Sequence, residues 1–382
     1  MGRVRIGIDI TSANATRTGI GSYTWEVVKR LWAQGRHEHD FVFLFNSTRQ
    51  NPPRVALHRS VGDHLRLRRI PGPAILQMWR WMDRPPVEEF AGPVDVFHSP
   101  ATYIPPQRGG AAVTTVHDLH FLDNPEEPQH ALGGEYIAWV LGRRLPDIQA
   151  VICPSRLTAD SLLRHFGDRV RGLEERVHVM PWGVHKRFFG VPGRESVGSV
   201  RACHALDRPY ILVVGGSEPR KNIPVVQKAH SILCARMPDC PTLAIAGGNT
   251  MAGTAGVHTR LLGYVREADL LTLYHSAELF VCPSRMEGFG MPILEAMAAG
   301  IPVVCTRMAG CLEFTEPDAA VTVDPFDAEG LAHAIERVLT DGALRARLVE
   351  AGLRSARALT WDACAKATLD VYRRAAEIAP RR

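Results

Sequence analysis

The chain has 382 residues, 46% of them hydrophobic, with 45 Lys and Arg against 40 Asp and Glu for a formal charge of +5. That length implies roughly two domains, with cores large enough to need no disulfide or metal staple. Its 33 Gly and 27 Pro are an ordinary share, which excludes collagen-like, coiled-coil and disordered chains. The charge surplus is too small to point to nucleic acid.

The opening Met1–Ile10 carries neither a long apolar stretch nor a cleavage site, so it does not read as a signal peptide. No apolar run reaches the ~20 residues of a membrane-spanning helix. The expectation is a cytoplasmic protein. Short β-branched runs predict strands at 5–10, 40–45, 64–70, 94–99, 111–117, 150–155 and 176–180. A second series follows at 210–216, 242–248, 279–284, 301–306 and 320–324, with a shorter candidate at 261–265. Helix-length segments separate them, among them Gly21–Gln34, Ile223–Met237 and Met291–Ala299. Strands apolar on both faces and alternating with helices predict parallel sheets covered by helices. Between the two series, 188–208 has no clear period and reads as a linker. The closing Thr360–Ala379 is a helical pattern. The 8 cysteines form no C-x-x-C pair and several sit in apolar runs, so reduced, buried, unreactive thiols are expected, without a zinc site.

After the first strand comes Gly19-Ile20-Gly21, opening a helix. A dinucleotide fingerprint would need a third glycine where Thr24 stands, and an acid at the end of the second strand, where Asn46 stands. A nicotinamide-dependent oxidoreductase is therefore disfavoured. What survives is a glycine loop whose amides can approach a phosphate, set against an ordinary Gly-rich turn.

The segment after strand 279–284 carries more. It reads RMEGFGMPILEAMAAG, with Pro292 suited to a first helical turn and Gly300 to a helix end. Glu287 then falls in the loop and Glu295 at the start of the helix. The amides of Phe289, Gly290 and Met291 would face an anion there, and two carboxylates can accept bonds from sugar or ribose hydroxyls. The bland alternative is a solvated Glu287 and a Glu295 that merely suits the helix. Strand 210–216 likewise runs into Ser217-Glu218-Pro219-Arg220-Lys221-Asn222. Arg220 and Lys221 offer charge for a diphosphate, and Asn222 a helix cap; an ordinary basic loop is the alternative.

Together, TGIGSYTWEVVKRL (18–31), TTVHDLHFLDNPE (114–126), GGSEPRKN (215–222), LFVCPSRMEGFGMPILEAMAAGIPVV (279–304) and TWDACAKATLDVYRRA (360–375) resemble a retaining glycosyltransferase of family 4. The resemblance implies the GT-B fold, an α/β architecture of two Rossmann-like, doubly wound parallel-sheet domains facing a central cleft. It implies an acceptor domain at 1–190, with helix 362–382 packing back on it, and a donor domain at 206–361. It implies that Arg220 and Lys221 hold the donor diphosphate, that Glu295 binds the ribose and that Glu287 contacts the transferred sugar, near the Phe289–Met291 amides. His117 would face the sugar and Gly19–Gly21 the phosphates. One departure is Trp182-Gly183-Val184-His185, where the family usually has N-G-V-D; no role is carried over to it.

The resemblance is closest to mannosyltransferases of polysaccharide biosynthesis, which points to GDP-mannose and leaves UDP-sugars open. A saccharide or lipid-linked saccharide would accept the hexose. Other readings are a sugar-nucleotide epimerase, a phosphorylase or a non-catalytic nucleotide-sugar-binding partner. His117-Asp118-Leu119-His120 recruits no evident third ligand and no Asp-x-Asp occurs, so neither metal nor other cofactor is expected. Arginines at 54–69 beside Trp79 and Trp81 at 72–84 read as a solvated strand and a packed helix lining the acceptor cleft; contact with the inner face of a membrane is the other reading.

Overall fold

The structure, a computed structural model, describes residues 3–14, 18–48, 62–127, 134–248 and 258–379. It divides into two compact units, one of residues 1–182 with 361–382, the other of residues 183–360.

Among the described residues the first unit is built on seven strands: β1 (Arg5–Asp9), β2 (Asp40–Asn46), β3 (Leu65–Arg68), β4 (Val96–Ser99), β5 (Ala111–Thr115), β6 (Ala150–Cys153) and β7 (Val177–Val179), in the order β3-β2-β1-β4-β5-β6-β7. Every pairing is parallel. β2 shows why: Phe41 to Phe45 are all buried, so both faces need helical cover. That cover includes α1 (Gly19–Gly35), α2 (Gly72–Trp81), α3 (Gly134–Arg144) and α4 (Arg156–Phe166).

The second unit repeats the plan. Its strands are β8 (Tyr210–Val214), β9 (Thr242–Ala246), β10 (Thr259–Gly263), β11 (Leu279–Cys282), β12 (Val303–Thr306) and β13 (Val321–Val323), ordered β10-β9-β8-β11-β12-β13. They too pair in parallel throughout. Its helices are α5 (Arg194–Cys203), α6 (Ile223–Arg236), α7 (Glu267–Ser276), α8 (Met291–Ala298), α9 (Ala328–Thr340) and α10 (Gly342–Ala358). The chain then returns to the first unit as α11 (Trp361–Ile378). There the Tyr372 hydroxyl lies 2.6 Å from His98 Nδ1, and Gln34 donates to the Asp362 carbonyl at 3.1 Å. In both sheets the winding direction reverses beside the first strand of the unit, between β1 and β4 and between β8 and β11. The diverging loops there leave a crevice at the carboxyl ends of the strands.

Two expectations are corrected. The 188–208 segment is not a plain linker: Arg194–Cys203 is helical, and it escaped notice because Val200 alone is buried on it, so no apolar period appears. The thiols are not all reduced and buried either. Cys234 and Cys240 are joined as a disulfide, and Cys203 is exposed. Among the described residues no helix is long and apolar enough to cross a membrane.

Candidate active site

In the second unit the loops after β8 and β11 converge on one buried carboxylate. Lys221 Nζ donates to Glu287 Oε1 at 2.7 Å, Arg220 Nη1 to Oε2 at 3.2 Å, and Ser284 Oγ to Oε1 at 2.6 Å. Glu287 is 7% exposed, so it is not the solvated side chain of the bland alternative. Its burial favours the neutral acid, but the nearby Lys221 and Arg220 charges and the bonds from Lys221 and Ser284 prevail and hold its carboxyl down to about 2. The backbone is fixed as firmly: Glu287 N donates to the Met308 carbonyl at 2.9 Å, and Gly310 N to the Glu287 carbonyl at 3.1 Å. Arg220 also pairs with Glu218 at 2.9 Å. The cluster thus holds two cations and two acids, partly exposed on the arginine side.

Asn222 does not cap the helix that follows. It takes the left-handed conformation, with φ of 54°, and its side chain makes no cap bond to α6. Instead Nδ2 donates to the Pro283 carbonyl at 3.0 Å and the Pro325 carbonyl at 2.7 Å. One buried amide therefore ties together the loops after β8, β11 and β13. Gly247 lets the loop after β9 approach as closely, since a Cβ there would sit 2.1 Å from the Gly215 carbonyl oxygen.

Helix α8 starts at Met291, directly after Phe289 and Gly290. Gly290 has φ of 99°, and a Cβ there would meet Cys311 Sγ at 3.2 Å. The Phe289 carbonyl accepts from Cys311 N at 2.6 Å, pinning the loop ahead of the helix. Glu295 sits in the body of α8 rather than at its start. Tyr274, fully buried on α7, donates its hydroxyl to Glu295 Oε2 at 3.0 Å. Burial raises the Glu295 carboxyl to about 7, against the Tyr274 bond and the Arg187 charge. The two carboxylates are therefore not brought onto one set of partners. Sequence reasoning missed Ser284 and Tyr274: hydroxyls three residues before, or 21 before, a carboxylate leave no pattern.

In the first unit, His117 follows β5 and is buried. Its Nε2 lies 2.6 Å from the Pro100 carbonyl, which fixes the proton on that nitrogen, and Nδ1 is buried with no hydrogen-bond partner among the described residues. Burial lowers its pKa to about 4, so the ring is neutral. Tyr23 packs edge-on at 5.2 Å and Trp182 at 5.3 Å. His120 turns to Glu127, 2.9 Å away. Gly19 and Gly21 open α1, but Thr18 Oγ1 accepts the Gly21 amide at 3.0 Å. That amide is capped, and a Cβ at Gly19 would meet nothing within 4 Å; residues 15–17, which precede them, lie outside the described residues.

A cavity of about 720 Å³ opens at the carboxyl ends of β1, β2 and β3, lined by Asp9, Asn46 and Arg68. Helix α2 contributes Ile75 and Trp79 to its wall. The basic stretch before β3 lies largely outside the described residues, while Trp81 at the end of α2 is 75% exposed.

Residues 201–355 match the family Glycosyl transferases group 1, and residues 17–187 match Glycosyltransferase Family 4. The O-antigen chain mannosyltransferase B of Escherichia coli is 28% identical over 93% of this chain and 96% of its own length. Among solved structures, the sucrose-phosphate synthase of Thermosynechococcus elongatus superposes with a TM-score of 0.71 at 22% identity, over 97% of this chain and 98% of its own. HepE of Anabaena, solved with UDP-glucose, superposes with a TM-score of 0.65 at 14% identity, over 98% of this chain and 99% of its own. Two parallel sheets of this order and these likenesses define a GT-B glycosyltransferase. Within that class, the chain belongs to glycosyltransferase family 4.

Proposed function

We propose that the chain moves a hexose, with retention of the α configuration, from a nucleotide diphosphate sugar to a hydroxyl of a saccharide or lipid-linked saccharide. The observation that carries this is the cluster at the β8–β11 crevice, where Lys221 and Arg220 are held by Glu287. A diphosphate entering there offers the two cations a doubly charged partner. As the sugar leaves, charge grows on the β-phosphate, and fixed cations lower that barrier. Glu287, released from one cation, becomes an acceptor for sugar hydroxyls. Glu295 and Tyr274 would take the ribose. A leaving phosphate on the same face as the acceptor can accept its proton, so the reading needs no enzymatic base and no metal. The unit of residues 183–360 would carry the donor and the other unit the acceptor, with the cavity under α2 and the neutral His117 on the acceptor side. The likeness to a mannosyltransferase supports GDP-mannose as donor. An apolar-walled cavity beside the exposed Trp81 supports an acceptor with a lipid carrier, presented at the cytoplasmic face of a membrane.

Calorimetric titration with GDP, UDP, ADP and CMP, with and without magnesium, tests the donor. Selective GDP binding without magnesium is expected; selective UDP binding would remove GDP-mannose. Arg220→Ala and Lys221→Ala are each expected to lower kcat about 10²–10³-fold, the usual loss when one stabilising donor is removed. Unchanged turnover in both would sink the diphosphate assignment. The anomeric configuration of the product, read by NMR, tests retention.

A further inference from the structure

Away from Glu287, the second unit holds another group of chemistry-bearing side chains. His230 and Cys234 stand one turn apart on α6, and Cys240 lies in the short link into β9. His230 and Cys240 are buried. The imidazole lies against both sulfurs of the disulfide: Nε2 is 3.6 Å from Cys234 Sγ and 3.5 Å from Cys240 Sγ. Nε2 is also 2.8 Å from the Pro241 carbonyl, and Nδ1 is 3.9 Å from Cys234 Sγ. One donor atom from each of the three residues lies within 4.8 Å of the others. The group sits at the end of α6 and the start of β9, the opposite end of the sheet from the loops that carry Arg220 and Glu287.

These distances have a chemical meaning. A tetrahedral zinc with Zn–N and Zn–S bonds of ordinary length sets nitrogen and sulfur about 3.6 Å apart. Nδ1, 3.9 Å from Cys234 Sγ, stands close to that spacing, and the same ring lies against Cys240 Sγ through Nε2. Residues at i and i+4 present both donors on one helix face. A ring proton donated to a backbone carbonyl, as Nε2 can donate to Pro241, leaves Nδ1 a lone pair and orients the ring, the usual outer support of a metal-bound histidine. Burial keeps His230 neutral, with the nearby His258 charge acting the same way. Two thiolates in so buried a place would need a cation beside them.

We propose that, with the disulfide reduced, His230, Cys234 and Cys240 bind one Zn²⁺ and clip the end of α6 to the start of β9. A trialkylphosphine cleaves the S–S bond, gaining the oxygen of one water and leaving two thiols. Zn²⁺ then forms two Zn–S bonds and one Zn–N bond, the two thiol protons pass to solvent, and water fills the fourth position. The site stands apart from the transfer chemistry, so it does not depend on the proposed donor or acceptor.

The test uses the full chain carrying Cys203→Ser, which removes the exposed thiol. The protein is reduced with phosphine, loaded with Zn²⁺ and dialysed without metal, and its metal is counted by atomic emission. One Zn²⁺ per chain is expected. Loading with Co²⁺ instead is expected to give the intense visible bands of a tetrahedral site together with thiolate-to-cobalt charge transfer. Cys234→Ser or Cys240→Ser should abolish retention, and His230→Ala should weaken binding about tenfold or more. Should the variants fail to fold, X-ray absorption on the zinc-loaded parent must count two sulfur neighbours. Reduced, folded protein that holds no Zn²⁺ would overturn the proposal, as would a thiol titration showing the Cys234–Cys240 pair still oxidised after phosphine.

Discussion

Glu287 and Glu295 are eight residues apart and are driven in opposite directions. Lys221, Arg220 and Ser284 hold the Glu287 carboxyl at about 2, whereas burial lifts that of Glu295 to about 7. Each shift is a statement about stability. For Glu287 the folded chain binds the proton less tightly than the unfolded one. Its contribution is complete above the ordinary value of 4.5 and is lost as pH falls from there toward 2. For Glu295 the folded chain binds it more tightly, so its contribution is present below 4.5 and is lost as pH rises toward 7. Both windows correspond to ~3 kcal/mol at most. Urea unfolding at a series of pH values, on the parent, Glu287→Gln and Glu295→Gln, checks this. The advantage of the parent over Glu287→Gln should shrink between pH 4.5 and pH 2. Glu295→Gln should gain on the parent as pH rises from 4.5 to 7. Curves that stay parallel in both windows would remove the assigned partners. The same titration bears on the proposed function: if Glu295 takes the ribose, donor affinity should rise as pH passes through 7 and the carboxyl ionises.

At the level of elements, the loops of the second unit are joined by Asn222, which must do two things. Its backbone is left-handed, and its amide bridges the Pro283 and Pro325 carbonyls. Glycine can do the first and not the second; alanine can do neither. Asn222→Gly should therefore cost the two bonds, about 1–3 kcal/mol, and Asn222→Ala about 1–2 kcal/mol beyond that for the backbone. Denaturant midpoints for the pair measure the difference, and equal losses would show that the backbone conformation carries no cost. This device was not legible in the chain, because Asn before Ile-Pro reads equally well as a cap. The strands were legible for a physical reason: a parallel strand covered on both faces must be apolar along its whole length, as Phe41–Phe45 and Leu279–Cys282 are. α5 was not, because a helix burying one valine carries no period. In the candidate site, charge and spacing exposed Arg220, Lys221, Glu287 and Glu295. Neither could expose Ser284 or Tyr274, whose hydroxyls meet those carboxylates only through the packing of β11 and α7. The disulfide escaped because five residues between cysteines matches no familiar spacing, and only the return of the chain into β9 brings them together.

At the scale of the molecule, the second unit is one continuous stretch, whereas the first is closed by the last helix of the chain. α11 places Trp361 and Tyr372 in the interior at 1% exposure each, with Leu369, Val371 and Cys364 also buried. It also supplies the Tyr372 hydroxyl to His98, whose other ring nitrogen meets Thr115 at 2.9 Å. Each large apolar side chain contributes about 1.5–3 kcal/mol on burial, so losing the helix removes as much as a domain's entire stability of about 5–15 kcal/mol. The partners it leaves behind would be exposed, and His98 would lose the hydroxyl that satisfies it. The second unit loses none of its own core by the same cut. A chain ended at Thr360 should therefore separate the two units in hydrogen exchange. Amides of β1, β4 and β5 are expected to exchange freely, while those of β8, β11 and β12 keep the protection they have in the full chain. Uniform protection in both would mean that the first sheet closes without its last helix. Uniform loss would mean that the second unit, despite its continuous core, depends on the first to fold.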